Sequence, residues 1–210
     1  MSILGVFFVN QQQMAVTNRQ KRTKELLENT LIRLIKDKGF HAITVKSIIE
    51  TAGFNRSTFY LHYQDKYELA EELLESKMIG LEDSVGANYK YGQKVYTTKL
   101  DPPSFNIVNY IYENRDFFEL LNYPDTLPGL LTEFPARITK IYKEQFYFET
   151  INHQEVNMDY FKRYTSYGFY GLILDWVQNK FRTPQEDFIQ EVIDLTKTHI
   201  YAFKYKGRVL

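Results

Sequence analysis

One short segment of the chain brings together side chains that could read a nucleic acid. Thr44–Lys66 has the sequence TVKSIIETAGFNRSTFYLHYQDK. Arg56 and Tyr60 are four residues apart and would share one face of a helix, while Phe59 and Tyr63 would share another. An arginine fork can donate hydrogen bonds to both O6 and N7 of guanine. The spacing therefore predicts a helix with a polar outward face and an aromatic face turned to a core.

The residues around this helix predict how it is held. Thr44 is a good N-cap for a short helix over residues 45–51, and Gly53 permits a sharp turn after it. Ala52 is small where two helices would cross, and Phe54 would form an apolar plug beneath the second helix, at about residues 55–63. Two short helices joined by a tight turn are typical of a helix-turn-helix.

Helices are also predicted on both sides of this pair. Leu27, Leu31 and Leu34 recur at helical spacing within residues 18–38, and Gly39 follows as a C-terminal cap. Asp65 would cap a fourth helix that runs to about residue 89. The first three helices thus form one helical unit, the head.

The charges are distributed unequally along a chain whose formal net charge is zero. Residues 1–66 hold ten Lys and Arg against five Asp and Glu, whereas residues 67–210 hold sixteen against twenty-one. A basic segment joined to an acidic body favours a polyanion-binding head. Chance clustering of solvated charges is the alternative.

The pattern beyond residue 100 stays helical, which makes the expected fold class all-α. Eighteen Phe, Tyr and Trp residues lie between Phe105 and Trp176, and strands are an alternative only around residues 94–100. A helix over about residues 158–180 is apolar on two sides. Thr183–Glu186 has the sequence of a capping box with proline at the first helical position, which predicts a last helix to about Phe203.

The head carries a family resemblance. Residues 18–72, with KDKGF at 36–40, the opening TV, then AGF and FYLHY followed by Lys66, resemble the DNA-binding domain of TetR-family transcriptional regulators. This resemblance implies an all-helical homodimer with a helix-turn-helix domain over residues 18–66 and a ligand-binding and dimerisation domain over residues 67–210. Residues 1–17 would be a flexible extension, and Met14 is a candidate start.

The family pattern also implies roles for single residues. It places Arg56, Ser57 and Thr58 where side chains reach base edges, and Arg56 is the best candidate for a base contact. Leu61 departs from the aromatic or polar residue often found at its position, so no base contact is expected from it. The positions that usually hold phosphate oxygens are Thr44, Lys46, Tyr60, His62 and Lys66. A packed Tyr60, an ordinary exposed His62 and a solvated Lys46 are the alternatives.

The end of the chain has a looser resemblance. Gly171–Phe188 is similar to the last two helices of TetR-type proteins grouped with dihydroxyacetone kinase regulators, which implies a four-helix bundle with the partner's copies. The candidate interface residues are Gly168, Gly171, Trp176, Phe188, Val192 and Leu195. Aromatic residues could line a pocket for a small apolar or aromatic effector, and the candidates are Tyr142, Phe146, Tyr160, Tyr164 and Tyr167. Packing in the core of one chain is the alternative for both sets.

Other classes of function find little support in the sequence. The chain has no cysteine, which excludes a thiol nucleophile and thiolate metal sites and fits a cytoplasmic location. No GxGxxG, P-loop, GxSxG or HExxH motif occurs, and the four histidines lack metal-site spacing. We therefore predict no enzyme activity, no cofactor, no metal and no membrane partner. The sequence favours a ligand-responsive repressor that binds a palindromic double-stranded operator; an activator, or a ligand- or protein-binding module without DNA binding, is the alternative.

Overall fold

The computed structural model describes the backbone of residues 3–208 and the side chains of residues 18–208. It is mostly helical, as predicted. The α-helices found in this part of the chain are α1 (Ile3–Lys38), α2 (Val45–Ala52), α3 (Arg56–Tyr60), α4 (Lys66–Gly86), α5 (Asn106–Glu113), α6 (Arg115–Phe118), α7 (Leu130–Glu144), α8 (Met158–Gln178) and α9 (Gln185–Lys197). The chain divides into two compact units, residues 1–73 and residues 74–210.

Three strands interrupt the helices of the second unit. They are β1 (Lys94–Tyr96), β2 (Phe146–Thr150) and β3 (Ile200–Tyr205). They form an antiparallel sheet in the order β1-β3-β2, with Val95 and Phe148 both opposite Phe203. The sequence suggested a strand only near β1; β2 and β3 were not predicted.

The first unit has a continuous apolar core. The face of α1 predicted from its spacing is buried, and Leu27, Leu31 and Ile35 are fully enclosed. Ile48 of α2 and Phe59 of α3 are equally inaccessible. The short helices α2 and α3 therefore depend on this core, because helices of eight and five residues have little stability alone.

The core of the second unit is rich in aromatic rings. On the inner face of the sheet, the rings of Phe146 and Phe203 meet edge to face with centroids 5.4 Å apart. Trp176 of α8 stacks on Phe188 of α9 with centroids 4.3 Å apart, and its indole donates to the carbonyl of Thr183 at 2.9 Å. Edge-to-face and stacked rings of this kind stabilise a core beyond the effect of the area they bury.

A buried carboxylate joins three parts of the second unit. Glu82 of α4 is 1% exposed, and Arg137 of α7 lies 3.2 Å from its Oε1. Lys140 approaches the same oxygen at 3.3 Å, and Nε of Arg208 lies 2.9 Å from Oε2. Arg137 also pairs with Glu75 at 2.8 Å. The charge of Glu82 is thus compensated by cations from two distant segments.

Two boundaries near the end differ from the predictions. The last helix ends at Lys197, and residues 200–205 form β3, so the prediction of a helix to Phe203 was wrong. The prediction of a capping box at Thr183 was also wrong, because Pro184 is the N-cap of α9 and makes no side-chain capping bond. The backbone of β3 instead pairs with two strands far away in the sequence.

The N-terminal end of α1 also differs from the predicted boundary. The helical pattern was expected to begin at Asn18, whereas the backbone of α1 is helical from Ile3. The proposed extension, residues 1–17, lies outside the residues whose side chains are described. Within the described residues no helix has the length and apolar character needed to cross a membrane.

Candidate nucleic-acid interface

Local caps fix both ends of α2. The Oγ1 of Thr44 accepts the Ser47 amide at 3.1 Å, and the Ser47 hydroxyl oxygen accepts the Thr44 amide at 3.0 Å. At the other end of α2, Gly53 has φ 72° and ψ 27°, a left-handed conformation that favours glycine. The N-cap at Thr44 and the turn at Gly53 are both confirmed.

Asn55 organises the start of α3, the helix predicted to face bases. Its Oδ1 accepts the amide of Thr58 and the hydroxyls of Ser57 and Thr58, each at 2.8 Å. Both hydroxyl hydrogens are therefore used within the protein, and the exposed Ser57 oxygen is presented as an acceptor. This role of Asn55 was not predicted; the signal for it is an asparagine at an N-cap position.

The two predicted faces of α3 are present. The guanidinium carbon of Arg56 lies 5.6 Å from the centroid of the Tyr60 ring, and both side chains are exposed. Phe59 and Tyr63 lie in the core. A cation stacked on an aromatic ring loses less conformational freedom when it forms further hydrogen bonds. Arg56 is thus partly preorganised on the outward face.

Three of the residues expected to bind phosphates lie at or near the surface. The side chain of Lys46 is 81% exposed, and its 3.8 Å approach to Glu50 is a weak surface pair that a phosphate could displace. Thr44 is exposed and uses its oxygen as an acceptor, which leaves its hydroxyl hydrogen available for donation. His62 is half-buried beside Tyr63.

The ammonium group of Lys66 is directed inward. It donates to the carbonyls of Phe40 at 3.0 Å, His41 at 3.3 Å and Ile43 at 2.8 Å. These bonds use all three N–H donors of a lysine, and the ammonium also lies 4.5 Å from the Phe40 ring centroid. In this arrangement Lys66 fastens the segment between α1 and α2. Spacing alone could not show this, because the acceptors are backbone carbonyls about 25 residues earlier.

A polar cluster joins α1 to the beginning of α4 beneath the interface. The ammonium of Lys24 lies 2.6 and 2.8 Å from the two carboxylate oxygens of Glu72, and the hydroxyl of Tyr63 donates to the same carboxylate at 3.3 Å. Burial, together with the negative charge of Glu72, raises the pKa of Tyr63 well above its usual range. Tyr63 therefore stays neutral and serves as a donor.

The proposed effector residues separate into two groups in the second unit. Tyr142 and Phe146 line an apolar cavity of about 70 Å³ between the inner face of the sheet and the surrounding helices, together with Tyr89, Phe148, Phe169 and Phe203. Tyr160, Tyr164 and Tyr167 are exposed on α8, at 72%, 76% and 55%. Tyr164 and Tyr167 border a wider groove along α8 and α9.

The proposed interface residues also separate. Gly168 and Gly171 are exposed on α8, with open space where a Cβ would lie, and Leu195 of α9 is 45% exposed. Trp176, Phe188 and Val192 are instead buried in the core of a single chain. These three side chains already have their apolar neighbours, so they offer little surface to a second copy. No cluster of three or more potential metal ligands occurs in the described part of the chain.

Comparison with known proteins agrees with the geometry. Residues 29–73 match the family model for bacterial regulatory proteins of the tetR family, and residues 101–198 match a model for the C-terminal region of transcriptional regulators. The chain belongs to the TetR family of transcriptional regulators. Its helix-turn-helix is the DNA-binding element of that family.

Two curated HTH-type relatives are 22% identical to this chain. A Bacillus subtilis HTH-type regulator, YxbF, matches over 80% of this chain and 43% of its own length. The Lactococcus lactis activator of the dhaKLM operon, DhaS, matches over 55% of this chain and 54% of its own. The chain thus spans about half the length of the curated relatives it matches.

Solved structures share the fold at low sequence identity. A TetR regulator from Streptococcus agalactiae is 21% identical and covers 89% of this chain and 97% of its own, with a TM-score of 0.55. The DhaS structure is 16% identical and covers 84% of this chain and 94% of its own, with a TM-score of 0.56. At these identities the likeness shows the fold, an N-terminal helix-turn-helix followed by a mostly helical domain.

Proposed function

We propose that this TetR-family protein is a ligand-responsive repressor that binds a palindromic operator as a homodimer. The observation that carries the DNA-binding part is the outward face of α3, where Arg56 lies over Tyr60 and the core residues point away. Each subunit would place α3 in a major groove, with half-sites about 34–36 Å apart or a multiple of that distance. Such a protein would act where the DNA is, in the cytoplasm.

The proposed DNA contacts are of two kinds: contacts to bases, which select the sequence, and contacts to phosphates, which position the protein. Arg56 would donate to a guanine, and the acceptor oxygen of Ser57 suits the amino groups of adenine or cytosine. Thr58 has its hydroxyl hydrogen directed to Asn55, so it would also act as an acceptor. Thr44, Lys46, Tyr60 and His62 would hold phosphates. We assign Lys66 an indirect role, because its ammonium already holds the segment before α2.

The proposed dimer would use the exposed surface of α8 and α9. Open space over Gly168 and Gly171 would let a second backbone approach closely, and Leu195 would add apolar area. The exposed tyrosines of α8 lie on this helix as well, and burying them would remove a large apolar area from water. Trp176, Phe188 and Val192 would support the interface from within the core.

The proposed effector is a small apolar or aromatic molecule in the cavity beside Tyr142 and Phe146. Fourteen residues line this cavity, most of them apolar, including Phe105, Phe148 and Phe169. Its volume of about 70 Å³ is below the roughly 300–1,000 Å³ of typical ligand sites, so an effector would have to widen it. The effector would release the operator only if it binds the DNA-free conformation more tightly.

Activation of transcription is the second candidate, because the relative DhaS is named as an activator. Both functions use the same operator binding, so DNA affinity does not separate them. The two are separated by measuring expression from a promoter fusion that carries the selected operator, with and without the intact protein. Lower expression in its presence supports a repressor, and higher expression supports an activator.

Selection of bound duplexes from a random DNA pool tests the proposed function. We expect an enriched palindrome for the intact chain, and loss of one base preference with about 1–3 kcal/mol of binding free energy for Arg56→Ala. Arg182→Ala is the matched control, because Arg182 is an exposed arginine after α8, outside the helix-turn-helix. Failure to enrich any sequence at moderate salt would favour a binding module that does not bind DNA.

A further inference from the structure

Leu61 places an apolar side chain on the outward face of the recognition helix. It is the C-cap of α3, its amide donates to the Ser57 carbonyl at 3.1 Å, and its side chain is 81% exposed. Leu61 therefore follows Ser57 by one turn on the same face, and Arg56 and Tyr60 are also exposed on this helix. We call these four residues the reading stripe.

The chemistry of the major groove gives such a side chain one direct target. Base edges present hydrogen-bond donors and acceptors there, and thymine alone presents an apolar group, its C5-methyl. Leucine can neither donate nor accept a hydrogen bond through its side chain. We propose that Leu61 packs on the methyl group of a thymine in each half-site and thereby selects T at that position. This proposal rests on the operator binding proposed above.

The surroundings of Leu61 favour a role on DNA over a role in folding. Its neighbours Phe59 and Tyr63 fill the core, whereas the Leu61 side chain remains largely outside it. Exposed leucines are ordinary on protein surfaces, and Leu131 of α7 is one at 48%. Leu61 differs in its place on the reading stripe. No base contact is expected from this position by the family pattern, and the proposed methyl contact departs from that expectation.

Uracil substitution in the operator tests the proposal with the smallest chemical change. Each thymine of the selected half-site is replaced in turn by uracil, which removes the methyl group and keeps the hydrogen-bonding edges. We expect one position at which the dissociation constant rises about fourfold for one half-site and about fifteenfold for both, the effect of losing one buried methyl per site. The measurement is fluorescence anisotropy with the full chain at fixed salt.

A protein variant then assigns that position to Leu61. Leu61→Ser should weaken binding to the thymine operator but remove the difference between thymine and uracil at the responsive position, leaving other positions unchanged. Leu131→Ser is the matched control and should keep the full difference. Circular dichroism spectra and melting curves verify that both variants are folded, as expected for exposed positions.

The outcomes separate this proposal from the proposed function. If an operator is found but no thymine responds, or if Leu61→Ser keeps the thymine preference, the methyl contact is overturned while DNA binding stands. If no operator is found, the proposed function fails and the contact fails with it. Loss of the preference in Leu61→Ser alone supports the contact.

Discussion

The helix-turn-helix and the second unit are each stabilised by interactions, but the sequence separation between the interacting residues is very different in the two. In the first, Thr44 and Ser47 cap each other, and Asn55 binds Thr58, over three residues. In the second, β1 and β2 pair with β3 across separations of 50 residues or more. The caps at the starts of α2 and α3 thus depend on local hydrogen bonds, whereas the proposed effector cavity depends on distant segments meeting correctly.

A core substitution should break the second unit most strongly. Phe118 is fully buried, and its ring lies 5.2 Å from both Phe117 and Phe134. Phe118→Ala should lower the free energy of unfolding by about 3–5 kcal/mol, because it removes apolar contacts and leaves a cavity. Urea unfolding followed by the fluorescence of the single tryptophan, Trp176, measures it. Tyr147→Ala, on an exposed aromatic, is the control and should change stability by less than about 0.5 kcal/mol.

The buried charge network should give the next largest effect. Glu82→Gln removes the negative charge shared by Arg137, Lys140 and Arg208, so each of these cations loses one ion pair, although Arg208 keeps its pair with Asp83. We expect about 3 kcal/mol of destabilisation in the same assay, moderated because Arg137 keeps Glu75. Glu191→Gln, an exposed carboxylate of α9, is the control. Equal stability of the two variants would contradict a role for the network.

A single cap should show how far the reading surface depends on local bonds. Asn55→Ala removes three hydrogen bonds at the start of α3 and should cost about 1–2 kcal/mol of local stability. Hydrogen exchange of peptides within residues 44–66 should become faster, and operator affinity should fall. Asn29→Ala, exposed on α1, is the control. Unchanged exchange near α3 would show that packing of Phe59 alone positions the helix.

The sequence separation between interacting residues also explains which features could be predicted. The N-cap at Thr44, the turn at Gly53 and the cap at Asp65, which accepts the amides of Tyr67 and Glu68, depend on residues within four positions and were all found. The buried face of α1 follows from the helical spacing of its leucines. A local pattern is sufficient wherever the partner is nearby.

Features that depend on partners outside the local sequence pattern could not be predicted in the same way. The strand β3 directly follows a helix, and its sequence IYAFKY becomes a strand by pairing with two distant segments. Within the candidate site, Lys66 was expected to hold a phosphate because its type and position fit, yet its acceptors are carbonyls that the fold brings to it. Trp176 and Phe188 were candidates for an interface, but they stack on each other inside one chain. Residue type alone does not distinguish these outcomes.

The smallest predicted effect is a pH dependence in the second unit that the first unit's local caps do not share. Burial lowers the pKa of His199, whose ring lies beside Phe161 and whose Nδ1 is 3.2 Å from the Thr198 hydroxyl. The unfolded chain therefore binds this proton more readily than the folded chain. Stability should fall as the pH is lowered from about 6.5, the ordinary histidine pKa, towards the lower folded value. His199→Gln should reduce that slope in urea titrations at pH 7.5 and pH 5.5. His153→Gln is the control for removing a histidine, and equal slopes for the intact chain and His199→Gln would contradict the assignment.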